Sequence, residues 1–105
     1  MLSADDARRL ALSMPGAVEQ DHHGRPSFRV DGKIFATLWS ENEMNVMASE
    51  PRIRMAVADD PAVCSEVMWG RKRFAVRVKL DAASAELLED LLGESWARRA
   101  PKQQQ

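Results

Sequence analysis

The dipeptide Asp31-Gly32, flanked on both sides by alternating residues, constrains this chain more than any other feature. Both central positions of a two-residue hairpin turn need positive φ, which Asp tolerates and Gly adopts freely. Residues 22–38 (HHGRPSFRVDGKIFATL) are therefore predicted to fold as an antiparallel hairpin. With that turn Val30 pairs with Lys33, Arg29 with Ile34, and Phe28 with Phe35. This register puts Phe28, Val30, Phe35 and Thr37 on one face, and the two rings nominate it for the core. Arg25, Ser27, Arg29, Ile34, Ala36 and Leu38 fall on the other, which leaves Ile34 and Leu38 exposed. A slip of one residue would exchange the two faces.

The elements around the hairpin follow from local signals. Ser3 and Asp6 have the spacing of a capping box, with Leu2 as a staple, and Ala7, Leu10, Ala11 and Met14 give one apolar helical face that Pro15-Gly16 stops. A short extended edge segment over residues 17–22 leads into the hairpin. A turn at Ser40-Glu41-Asn42 leads to a third strand over residues 44–48. Ser49 caps a short helix with Pro51 in its first turn, where a missing N–H does no harm. Residues 61–70 show no clean periodicity and read as a loop with room for a short extended piece. Phe74, Val76, Val78 and Leu80 alternate with Ala75, Arg77 and Lys79, as in a half-buried strand. Asp81 is the expected cap of a last helix carrying Leu88, Leu91, Leu92 and Trp96 on its inner face. The sum is an α+β fold: an antiparallel sheet with helices packed on one face.

At 105 residues the chain is expected to form one domain, ordered from about residue 3 to 100 and ending in a polar tail over residues 101–105. No apolar run approaches the ~18–20 residues that cross a bilayer, and the start MLSADDARRL lacks the apolar core of a secretion signal. Cys64 is the single cysteine, so an internal disulfide is excluded. These features together predict a cytoplasmic protein. The net charge is −1, against strong nonspecific binding to nucleic acid. The charges are unevenly spread, however. Residues 71–79 hold Arg71, Lys72, Arg73, Arg77 and Lys79 without an acid, whereas acids lead over residues 41–60.

Two long segments, ALSMPGAVEQDHHGRPSFRVDGKIFATLW and MWGRKRFAVRVKL followed by LLEDLLGESWARRAPK, resemble the two halves of the MmcQ/YjbR family of small bacterial proteins. The likeness runs through nearly the whole chain. It implies an α+β fold similar to the frataxin-like CyaY fold, and a DNA-binding role by analogy with a double-wing arrangement. It implies no catalytic residues. The chain departs from the family at RKRF, where a Gly-Trp pair is more usual and Phe74 keeps the aromatic place.

Several residues could carry a function. Arg25 and Arg29 stand an even number of residues apart, so a regular strand shows both guanidiniums on one face, a fork suited to phosphate or carboxylate. Each also has a plain role available, Arg25 pairing with Asp21 and Arg29 lying over Ile34. Lys33 belongs to the same group. Arg73, Arg77 and Lys79 share one side of a regular strand and, with Arg71 and Lys72, could lie along a phosphate backbone as a β wing; the alternative is a solvated face that deters edge pairing. Trp69 either plugs the core or stacks on a base or ligand. His22 and His23, as strand neighbours, would point to opposite faces and so would not share a metal. Asp5 and Asp6 are too few for an acidic metal ridge. No P-loop or GxGxxG occurs, so no cofactor is expected. The leading expectation is a non-enzymatic protein that binds DNA weakly and salt-dependently through its basic sheet and wings, as monomer or weak dimer. The second is a protein- or small-anion-binding module built on Arg25, Arg29 and Trp69.

Overall fold

The structure, a computed structural model, describes residues 1–101. Of the expected tail at 101–105, residues 102–105 lie outside the described residues. In chain order the elements are α1 (Ala4–Leu12), β1 (Val18–His22), β2 (Arg25–Val30), β3 (Lys33–Ser40), β4 (Glu43–Met47), α2 (Glu50–Asp59), β5 (Cys64–Trp69), β6 (Lys72–Lys79) and α3 (Ala85–Arg99). The strands form one six-stranded sheet in the order β1-β2-β3-β4-β6-β5, antiparallel at every pairing. The α+β fold with helices on one face of the sheet is thus as the sequence predicts.

The local signals explain most element ends. Ser3 Oγ accepts from the Asp6 amide and the Asp6 carboxylate accepts from the Ser3 amide, which closes the capping box. These bonds, with Arg9 close by, hold the Asp6 carboxyl below its usual value. Ser49 caps α2 with Pro in its first turn. Asp31 and Gly32 both have positive φ, 53° and 75°, as a type I′ turn requires. His23 and Gly24 repeat that pattern at φ 54° and 85° and close a second hairpin between β1 and β2. One boundary moves: Leu80–Ala82 is a single 3-10 turn, and Ser84, not Asp81, caps α3 by accepting from the Leu87 amide. Residues 64–69, expected as loop with a short extended piece, form the full edge strand β5. Its sequence Cys64-Ser65-Glu66-Val67-Met68-Trp69 does not alternate polar with apolar residues, and most of its side chains are exposed.

The core lies between the sheet and the helices. Phe28, Val46, Val76 and Val78 from the sheet meet Ile53 of α2 and Leu88, Leu91 and Leu92 of α3, all fully buried or nearly so. Each such side chain contributes about 1.5–3 kcal/mol when removed from water. Ser95 ties α3 to the sheet by donating to the Phe35 carbonyl at 2.7 Å.

Three bulges govern which side chains reach that core. In the β2–β3 pair Arg29 faces Ile34 as expected, but Phe28 faces Ala36, so Phe35 is an extra residue. Phe35 and Ala36 are both buried, Leu38 turns into the core, and Thr37 moves to the open face. The expected assignment of Thr37 and Leu38 is therefore reversed beyond the bulge, while Ile34 before it stays on the open face. Between β3 and β4 the extra residue is Trp39, and between β5 and β6 it is Phe74. The last bulge overturns the expected basic row. Arg73 turns toward α2, where its Nε donates to Glu66 at 2.7 Å and its Nη1 reaches Glu50 at 3.4 Å. Phe74 takes the open side with Arg77 instead.

Two measurements test these placements. Ser84→Ala is expected to destabilise the protein by about 1 kcal/mol in urea melts, and Asp81→Ala by under ~0.5 kcal/mol; the reverse order would return the helix start to Asp81. Burial, with Asp60 close by, pushes the Cys64 thiol above its ordinary value although Arg52 opposes the shift. The native protein should resist a thiol reagent that the unfolded chain consumes at once. Stability should also fall as pH rises past the free thiol value of about 8.5, because only the unfolded chain then releases that proton.

Candidate functional site

Opposite the helices, one cross-strand row runs the full width of the sheet: Gln20, Ser27, Thr37, Asn45, Arg77 and Ser65 are successive partners. Its middle members are small and polar. Ser27, Thr37 and Asn45 are nonetheless buried, because long side chains rise around them. Ser27 Oγ donates to the Gln20 carbonyl at 2.8 Å and accepts from Arg29 Nε at 3.1 Å. Arg77 Nε donates to Asn45 Oδ1 at 2.9 Å. A low floor between high flanks makes this face concave, and the bulges add to the twist that curls it.

The flank nearer the β1–β2 turn is built on Trp39. The Arg25 guanidinium carbon lies 3.9 Å from the Trp39 ring centroid, and that of Arg77 lies 4.6 Å away. Arg25 Nε also donates to the Trp39 carbonyl at 3.0 Å, so this arginine is held at both its stem and its head. His22 and His23 stand here with ring centroids 4.5 Å apart. The turn conformation of His23 brings the rings together on one side, against the expectation that they diverge. Arg29 Nη2 approaches His22 Nδ1 at 3.4 Å, and since a guanidinium only donates, that nitrogen is the acceptor.

The far flank is apolar and basic. Trp69 and Phe74 meet edge to face with centroids 5.5 Å apart, beside Met47, Val67 and Met68. Lys33 and Ile34 close the side toward β3, and Arg99 reaches in from the end of α3. Its Nε is a buried donor with no partner among the described residues. Together these side chains enclose a cavity of about 580 Å³. That lies within the range of roughly 300–1,000 Å³ usual for ligand sites.

Among the described residues, no carboxylate lines the cavity. Six acids elsewhere are held in ion pairs: Asp5 and Glu19 with Arg8, Asp6 with Arg9, Glu94 with Arg52, and Glu50 and Glu66 with Arg73. Among the described residues, Arg25, Lys33, Arg77 and Arg99 have no acidic partner. Burial of two or three such charges side by side favours an anion between them. No group of three His, Cys, Asp or Glu side chains among the described residues is arranged to hold a metal.

Of the residues singled out in the sequence, Arg25, Lys33, Trp69 and Arg77 converge on this cavity. Arg29 is absent from the cavity lining; its guanidinium is bound to Ser27 and His22, and its backbone partner across the strand pair is Ile34. Arg25 does not pair with Asp21, whose carboxylate instead accepts from the Gly24 amide. Trp69 is no core plug: it is 75% exposed at the rim. Arg71 and Lys72 are exposed at the tip of the β5–β6 hairpin, and Lys79 is exposed at the far end of β6. Arg73 is removed to the helical side. Trp39, which at the end of its strand could have been core or stacking platform, takes the open side as the extra residue of a bulge; Phe74, Asn45 and Arg99 join the site unforeseen, Phe74 for the same reason.

A double-mutant cycle tests the Trp39 cluster. Pairing Arg25→Ala with Trp39→Ala isolates the ring contact, since the carbonyl that Arg25 also binds survives the second change. The expected coupling is about 0.5–1 kcal/mol for Arg25, with a similar value for Arg77. Additive losses in urea melts would dissolve the cluster.

Comparison with known proteins agrees with this architecture. The crystal structure of Deinococcus radiodurans protein DR2400, with the family-model domain DUF419, matches with a TM-score of 0.81 at 21% sequence identity, covering 98% of this chain and 82% of that one. At that identity the likeness bears on the fold. No curated protein matches the sequence. The YjbR family model matches residues 12–98. Those residues hold the whole sheet and nearly all of α3, and the chain belongs to the YjbR family.

Proposed function

We propose that this protein is a binding module, not an enzyme, that engages nucleic acid through the open face of its sheet. The observation that carries this reading is the segregation of charge and rings. A chain of net charge −1 keeps its acids away from the cavity and turns Arg25, Lys33, Arg77 and Arg99 toward it, next to Trp39, Trp69 and Phe74. Guanidinium forks suit phosphate oxygens, and aromatic faces suit bases. Arg71 and Lys72 extend the basic surface along the hairpin tip, which is the part of the expected wing that remains after Arg73 turns away.

Binding of this kind releases counterions and weakens as salt rises. Fluorescence polarisation with labelled single-stranded and duplex DNA should give saturable binding at ~50 mM salt and a marked loss by ~200 mM. Lys33→Gln and Arg77→Gln should each lower the slope of log affinity against log salt by about 1. Absence of binding to both forms at the lower salt would refute the reading.

The half-enclosed cavity supports a second reading, a site for a small aromatic or apolar-bodied anion. A ligand of the native state raises its apparent stability. A thermal shift with phosphorylated or carboxylated metabolites, together with no DNA titration, would transfer the function to such a ligand.

A further inference from the structure

The geometry points to a cavity that receives one unpaired nucleotide of a single-stranded nucleic acid, its base against Trp69 and its phosphates on the surrounding cations. This inference rests on the nucleic-acid reading above and narrows it to one form of the polymer.

The two tryptophans of the site are in different states. Trp39 already has two guanidiniums over its ring, so it serves as the wall that aims Arg25 and Arg77. Trp69 meets only the edge contact with Phe74 and is 75% exposed. An indole so exposed beside an apolar wall of Met68 and Phe74 offers a stacking surface that a base would cover. Stacking of this kind accepts any base, because every base has a π-face.

The cations lie where phosphates would flank such a base. Arg77 and Arg25 sit together on Trp39, Lys33 and Arg99 also line the cavity, and Arg71 and Lys72 follow Trp69 at the hairpin tip. The unpartnered Nε of Arg99 is a donor awaiting an acceptor, which a phosphate or a base carbonyl supplies.

A duplex fits this shape poorly. Its phosphates form a convex outer surface and its bases are stacked inside. Here the floor is recessed, Arg25 and Arg77 are partly buried within the concavity, and the cation that would have extended an outer row, Arg73, is committed to Glu50 and Glu66. An unpaired nucleotide can enter without the cost of breaking a pair.

The test compares four probes at ~50 mM salt: labelled oligodeoxythymidylate of about ten nucleotides, an abasic strand of equal length, a duplex of equal length, and free thymidine monophosphate as competitor. The strand is expected to bind about tenfold more tightly than the abasic strand or the duplex, and Trp69→Ala should remove most of that advantage while leaving the abasic strand unaffected. Because Trp69 is exposed, the variant should keep the native circular dichroism. Equal affinity for strand, abasic strand and duplex would overturn the inference and leave charge-driven binding standing. So would a strand preference that survives Trp69→Ala. Competition by the free monophosphate at the strand's own concentration would assign the cavity to a small ligand. No binding by any polymer would overturn the nucleic-acid reading itself.

Discussion

Side chains on a β-strand alternate between its two faces, and one extra residue reverses that order for everything beyond it. This sheet contains three such reversals, and the extra residue in each is aromatic: Phe35, Trp39 and Phe74. The rest of the molecule depends on them. The first sends Leu38 inward and leaves Thr37 as part of the floor. The second lets Trp39 stand beside Arg25 and Arg77. The third exchanges Arg73 for Phe74 on the open face. A sheet of the same strands without bulges would turn Leu38 outward and set Arg73, not Phe74, beside Arg77.

The separation of charge has a different origin. Acids near the helices find cations at short range, as in Arg52 Nε with Glu94 at 2.8 Å, and these contacts occupy the helical side. Exposed pairs of this kind contribute little to stability, a median of about 0–1 kcal/mol. Their effect is to withdraw carboxylates from the field over the open face. The near-zero total charge therefore conceals a basic hollow, and net charge is a poor guide to what such a chain can hold.

What could be read in the sequence divides along a physical line. The Asp31-Gly32 turn, the Ser3 capping box and the Ser49-Glu50-Pro51 helix start depend on residues within a few positions of one another, and all three stand as predicted. The faces of β3 and β6 depend on the partner strand and on the room under it, which no local pattern reveals. Ile34 and Leu38, both expected outside, mark the failure: Ile34 precedes the bulge and stays on the open face, whereas Leu38 follows it and is buried. Edge strand β5 was visible only as a short extended piece within a loop, because its run Ser65-Glu66-Val67-Met68 does not alternate polar with apolar residues. Arg25, Lys33, Trp69 and Arg77 were identifiable by type alone, and their convergence needed the fold. Ser84 outcompeted Asp81 as a cap because Leu80–Ala82 first closes a 3-10 turn, so the helix begins one turn late.

Arg73, lost to the basic face, acts as a strut. It joins β6 to Glu66 on β5 and to Glu50 at the start of α2, and so braces the hairpin that ends in Trp69 against a helix on the other side of the sheet. The Glu66 carboxylate, with Glu50 behind it, raises the guanidinium further above its already high ordinary value, so the strut keeps its charge at any pH the fold survives. Its weakness is ionic strength: charges more than about 10 Å apart are largely screened at 0.1 M salt, and a part-exposed contact pair such as this one loses some of its attraction as salt rises further. Added salt thus acts twice on this protein, once on the contacts made by the hollow and once on the brace that sets the hairpin's angle. A salt slope measured for any charged ligand will contain both effects, and a count of phosphates taken from that slope alone will be too high.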